Sequence, residues 1–183
     1  MRVFPILLTG LPLVFLLGCA DNAPSTLSLA PPLGSVRHIL QKISAVWPGN
    51  NAELICVLEL NSQQIAMAGL SVDGLSLFNL RYDGQLLVSE KSPLLPANLP
   101  PEWILVDLQL IYWPAEEIQK ILPFGWHLET STDQRTLYHD TEKYAEARYL
   151  SPENDWPRSV QLQNYAYHYQ ITINTLEYDA VSE

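Results

Sequence analysis

Basic side chains are scarce in this 183-residue chain: ten Lys and Arg stand against twenty Asp and Glu, a formal charge of −10. An acidic chain without a basic patch is a poor partner for nucleic acid, which binds through phosphate neutralisation. Charge alone would not hold it on an anionic lipid surface either. Cysteine is scarcer still, with only two in the chain, Cys19 and Cys56. The one long apolar run, Val3 to Leu17, falls short of the ~20 residues a membrane span needs, and Pro5 and Pro12 interrupt it. Also missing are a Gly-rich phosphate loop, a Gly-x-Ser-x-Gly elbow and a His-Glu-x-x-His pair. The four histidines are scattered, and His127-x-Glu129 and His139-Asp140 are two-residue matches of a kind that arises freely. With no catalytic constellation, metal motif or cofactor motif, the chain reads as a non-enzyme that needs no cofactor.

The N-terminus is informative. Met1 and Arg2 give a positive end, followed by a short apolar core and a small residue at the break, the pattern of a secretory leader. The break itself, Leu16-Leu17-Gly18-Cys19, resembles the lipobox of bacterial lipoproteins, with Leu17 departing from the small residues commonest before the Gly. That resemblance implies a signal peptide over 1–18, cleavage before Cys19, a diacylglycerol on the Cys19 sulfur and an acylated new N-terminus. Acyl chains, at ~0.8 kcal/mol per buried CH₂, would then hold the protein on a membrane. In the same family an Asp directly after the cysteine favours inner-membrane retention. Here Ala20 follows and Asp21 comes one later, so the resemblance implies the periplasmic face of the outer membrane. Loss of Arg2 with the leader takes the formal charge from −10 to −11. Cys56 is left without a partner, and its alternation with Leu54, Leu58 and Leu60 marks it as a small core residue.

Residues 19–33, with Pro24, Pro31 and Pro32, read as a lipidated tether, and 34–183 as a single domain. Val36, Ile39, Leu40, Ile43, Val46 and Trp47 fit helical spacing, so an amphipathic helix is expected between Gly34-Ser35 and Pro48-Gly49. From Glu53 the period becomes two. "ELICVLEL", "QIAMAGLSV", "LSLFNLRY" and "QLLVSE", punctuated by Asp73-Gly74 and Asp83-Gly84, predict a four-stranded meander whose turn residues both take positive φ. "PEWILVDLQLIYW" fits a helix opened by Pro101, although Ile104, Val106, Leu108 and Leu110 also alternate. A short helix follows from Pro114 to Leu122. "GWHLET" and "QRTLYHD" pair across Ser131–Asp133, "KYAEARYL" is another strand, and "RSVQLQNYAYHYQITINTLEY" gives two strands or one bent one. In that last stretch Tyr165, Tyr167, Tyr169, Ile171 and Ile173 would share a face. Two antiparallel groups with a few helices make an α+β fold.

Two features stand out as candidate chemistry. Asp107 is an acid inside a very apolar segment, so it needs a partner or a shifted pKa; a backbone amide, Arg81 or Arg135 would serve. The aromatic residues Trp103, Tyr112, Trp113, Trp126 and Trp156, with the tyrosine ladder, would line an apolar pocket or a sugar-binding face, or simply pack in the core.

Three stretches, "LPPEWILVDLQLIYWPAEEIQKIL", "LPFGWHL" and "WPRSVQLQNYAYHYQITI", resemble the small bacterial lipoproteins encoded with aryl-polyene lipid biosynthesis genes. These in turn are similar to the lipoprotein-localisation factors, chiefly the outer-membrane receptor LolB. The resemblance implies an incomplete antiparallel β-barrel, a curved sheet with helices covering its concave face, around a cavity for acyl chains. Leu94, Leu95 and Leu99 would form an apolar lid or loop. Trp103, Trp113, Trp126, Tyr165, Tyr167 and Tyr169 would line the cavity, with Asp107 a buried acid of unassigned role. The partners implied are lipid or lipoprotein acyl chains, the membrane through the anchor, and a periplasmic donor carrier, with no nucleic acid. The competing expectation is a glycan- or protein-binding accessory lipoprotein with a filled interior.

Overall fold

The computed structural model describes residues 27–95, 101–151 and 156–181. Residues 1–18, Cys19 and Leu99 lie outside them. Five strands come first: β1 (Arg37–Trp47), β2 (Asn50–Leu60), β3 (Ile65–Ser71), β4 (Ser76–Tyr82) and β5 (Leu87–Lys91). Two helices follow, α1 (Pro101–Tyr112) and α2 (Ala115–Ile121). The chain ends with β6 (Trp126–Thr130), β7 (Gln134–His139), β8 (Glu142–Ser151), β9 (Ser159–Asn164) and β10 (Tyr169–Ala180). All ten strands form one antiparallel sheet in the order β5-β4-β3-β2-β1-β10-β9-β8-β7-β6.

The expected first helix is strand β1. Its burial alternates, with Ile39, Gln41 and Ile43 turned inward. Ile39 and Ile43 suit either period, so two residues decide the matter. Gln41, which a helix would place on its polar side, is only 1% exposed, whereas Val46, which it would place on the apolar stripe, is 55% exposed. β-branched residues at 36, 39, 43 and 46 favour the extended form, and β1 is paired on both sides. Ile43 stands opposite Leu54 of β2 and Ile173 of β10. Pro48-Gly49 therefore closes a hairpin, with Trp47 opposite Asn50, instead of ending a helix.

The meander forms as expected, but its turns differ in detail. Gly74 and Gly84 take positive φ, while Asp73 and Asp83 do not. Asp83 works through its side chain, which accepts from the N–H groups of Gln85 (2.8 Å) and Leu86 (2.7 Å), an Asx-type turn.

Helix α1 packs against β4 and β5 on one side and β7 and β9 on the other. The sheet therefore curves around it, and its ends, β5 and β6, do not pair with each other. Leu105, Leu108 and Ile111 join the inward residues of the strands in one core. The end of α1 is held by Arg135, whose Nη1 donates to the carbonyls of Leu110 (3.1 Å), Ile111 (3.2 Å) and Trp113 (2.5 Å), a cation at the negative end of the helix dipole. Among the described residues two helices, of 12 and seven residues, face the sheet, fewer than a full cover of the concave side.

Residues 27–33, read from sequence as tether, are laid down on this core. Gln109 of α1 binds both backbone groups of Ala30, accepting from its N–H (2.8 Å) and donating to its carbonyl (2.7 Å). The Trp113 indole donates to Pro31 (2.9 Å), the Tyr82 hydroxyl to Leu29 (3.2 Å) and the Arg37 guanidinium to Leu33 (2.7 Å). This strap lies by the Arg37 end of β1. Among the described residues, 27–181 thus contain the sheet, the two helices and the core.

Gly69 of β3 stands opposite Phe78 of β4. A Cβ there would sit 2.1 Å from the Phe78 ring, and Phe78 is fully buried. Gly69→Ala is expected to cost about 1–3 kcal/mol through overpacking, read as a lower urea midpoint, with Phe78→Leu in the same chain restoring part of the loss.

Candidate functional site

The inward faces of β1, β2 and β10 carry small and branched apolar residues toward the Trp47 end of β1, away from the strap. There α1 does not fill the curve, and a cavity of about 470 Å³ opens. Its floor is Ile43, Ala45, Leu54 and Ile171, and Trp47 and Pro48 of the β1–β2 turn edge it. Trp103, Ile104 and Asp107, on one side of α1, form the facing wall. Tyr167, His168 and Tyr169, at the β9–β10 turn, complete the rim.

The rim is ordered by aromatic contacts. Trp103 stacks on Tyr167 with ring centres 3.9 Å apart, and Tyr144 of β8 meets Tyr167 edge-on at 6.0 Å. Tyr144 in turn meets Trp126 edge-on at 4.6 Å. The turn that presents Tyr167 requires His168 at φ +55°, an uncommon conformation for a non-glycine residue.

Asp107 is 6% exposed. Its Oδ2 accepts from the Tyr169 hydroxyl at 2.5 Å, and Asn164 Nδ2 donates to that same hydroxyl at 3.2 Å. Neither expected arginine reaches it. Arg135 caps α1, and Arg81 points outward on β4 because it alternates with the inward Leu80 and Tyr82. Burial pushes the Asp107 carboxyl up to about 7, with the Tyr169 hydrogen bond pulling the other way. Burial, and then the neighbouring carboxylate, push the Tyr169 phenol far up.

Of the residues predicted to line a cavity, Trp103, Tyr167 and Tyr169 meet here. Trp113 does not. It sits at the other end of α1, buried, with its indole on the strap. Trp126 and Tyr165 border a separate surface hollow with His139, Glu142, Lys143, Tyr144 and Ala166. The expected shared face of the tyrosines fails because residues 165–168 form the turn between β9 and β10, so period-two alternation begins only at Tyr169. Leu94 is 62% exposed, as a loop contact would require, but Leu95 is 6% exposed and belongs to the core. His127 stacks on Tyr138 and His139 on Trp126. Among the described residues no group of three or more His, Cys, Asp or Glu is placed to hold a metal. Cys56 is fully buried, and burial pushes its thiol up to about 12, an unreactive core group. No helix among the described residues is long and apolar enough to cross a membrane.

Ile43, Ala45, Trp47 and Leu54 were not predicted to line the cavity. For the first three the alternation of β1 was the signal, and Gln41 on its buried face concealed it; Leu54, on β2, alternates openly with Cys56 and Leu58 and read as core.

Residues 38–177 match the model of a family described as "Protein of unknown function (DUF3261)". No curated protein matches the sequence. Among solved structures, the chain is similar to the crystal structure of a proposed outer membrane lipoprotein-sorting protein domain from Vibrio parahaemolyticus. The two are 6% identical with a TM-score of 0.42, over 81% of this chain and 86% of that one, a likeness too distant to carry a functional argument.

The raised carboxyl has a consequence for stability. Asp107 titrates near 7 when folded and near its ordinary value of 3.8 when unfolded. Its favourable contribution is therefore full in acid and is lost as pH rises toward 7. Asp107→Asn removes that dependence. Relative to the natural chain, the variant is expected to gain roughly 2–3 kcal/mol between about pH 5 and pH 8 in urea melts. A difference independent of pH would show that the carboxyl is not buried in solution.

Proposed function

This chain belongs to the DUF3261 family, and we propose that it is a bacterial envelope lipoprotein that binds the hydrocarbon part of an amphiphile in the cavity beneath α1, without catalysing a reaction. Cys19 would carry the lipid anchor and hold the domain at the periplasmic face of the outer membrane. The bound group would be a lipid or the acyl chains of a lipoprotein, delivered by a periplasmic donor carrier.

One observation carries this reading: the cavity of about 470 Å³ lies within the ~300–1,000 Å³ range of small-ligand sites and pairs apolar walls with few polar groups. Each Å² of hydrocarbon moved from water into it contributes ~25 cal/mol. The glycan-binding alternative calls for open aromatic faces. Of the Trp and Tyr side chains at the second hollow, Trp126 is instead stacked on His139 and edged by Tyr144, which leaves only Tyr165 exposed.

The test uses residues 20–183, purified without detergent, and the neutral apolar fluorophore N-phenyl-naphthylamine. The folded chain is expected to bind it with enhanced emission and to release it to dodecanol. Ala45→Trp, which fills the floor, is expected to weaken binding by about tenfold or more, or ~1.4 kcal/mol. A folded natural chain that binds no probe would overturn the reading.

A further inference from the structure

The polar content of the cavity is lopsided. Its one charged side chain is the Asp107 carboxylate, and no Lys or Arg lines it. No basic residue stands within ion-pair distance of Asp107 among the described residues. The titratable groups that face it are Tyr169 from β10, Tyr144 from β8, and Tyr167 and His168 from the β9–β10 turn. Of these, only Tyr169 hydrogen-bonds to it, at Oδ2. No protein donor reaches Oδ1 among the described residues. A carboxylate kept this far from water without a cation is costly and would be relieved by one.

Resting on the carrier reading above, we infer that the cavity selects amphiphiles bearing a protonated amine, with the ammonium hydrogen-bonded to Asp107 and the alkyl chain on Ile43, Leu54 and Ile171. Tyr169 acts as a positioning residue: it occupies Oδ2 and leaves Oδ1 toward the cavity. The ammonium supplies donors and a charge to a group that has neither nearby, and a charge-assisted hydrogen bond in a water-poor site is the strong kind. An alcohol would donate without charge, and a carboxylate would bring like charge to the same place. The acidity of the whole chain, −10, favours approach of cations.

The experiment compares dodecylammonium, dodecanol and dodecanoate as competitors of N-phenyl-naphthylamine on residues 20–183 at about pH 8, where Asp107 is ionised. The inference expects dodecylammonium to bind about tenfold or more tightly than dodecanol, and dodecanoate to bind least. Asp107→Asn is expected to bring dodecylammonium to within about twofold of dodecanol. The head-group order in the natural chain needs no variant, so it stands even where the substitution disturbs folding. Lowering the pH to about 5, which protonates Asp107, is expected to erase the preference in the natural chain. Equal binding of the amine and the alcohol, or a preference that survives Asp107→Asn, would overturn this inference while leaving the carrier reading intact. If none of the three displaces the probe, both fall.

Discussion

The structure depends on one strand pairing, β1 against β10. Each half of the chain makes a five-stranded meander around itself, and without this seam there would be two small sheets, neither able to enclose a helix. The seam unites residues more than a hundred positions apart, as Lys42 opposite Asn174 shows. It is also where a polar side chain is buried. Gln41 donates to the Tyr112 hydroxyl at 3.0 Å and to the Thr175 hydroxyl at 3.3 Å, tying β1 at once to α1 and to β10. The register of β1 on β10 slips by one residue between Leu40 and Gln41, and such a bulge increases local twist. Beyond it, Ile43, Ala45 and Ile171 are left facing the cavity, so the seam that closes the fold also makes the candidate site.

Most of the fold was legible in residues with local signals. Asp73-Gly74 and Asp83-Gly84 marked two hairpins, Pro101 and Pro114 marked two helix starts, and Trp126 to Asp140 showed a hairpin across Ser131–Asp133. The errors share a cause: a polar residue that tertiary contact buries, or a turn that lacks punctuation. Gln41 looks like one side of a helix until Tyr112 and Thr175 arrive as partners, and nothing near it in sequence announces them. Residues 165–168 contain neither Gly nor Pro, so a four-residue turn passed as part of a strand. The strap was hidden for the converse reason. Its prolines suggested a free tether, but Gln109, 79 residues away, satisfies the backbone of Ala30.

The candidate site shows the same division. Asp107 was conspicuous by being acidic among apolar neighbours, and Trp103, Tyr167 and Tyr169 by being aromatic. Their convergence was not legible, because it needs α1 brought beside Tyr169 and the β9–β10 turn by packing against distant strands. Trp113, of the same residue type as Trp103 and on the same segment, went to the opposite end of α1. Residue type nominated the members, and the rotation and length of α1 chose among them.

The sheet does not close into a barrel, and this bears on how the molecule meets other proteins. It leaves two edge strands, β5 and β6, each only five residues long. Edges of this kind invite a strand from another chain. Here each is guarded. Gln119 of α2 donates to the Leu128 carbonyl of β6 at 3.3 Å, and Glu102 of α1 accepts from the Ser89 hydroxyl of β5 at 2.6 Å. Glu90 and Lys91 on β5 and Glu129 on β6 add exposed charged side chains at the same borders. Extending the ladder would mean displacing a helix contact and crowding charge for at most a few new hydrogen bonds. Two copies therefore have little reason to join edge to edge through these strands.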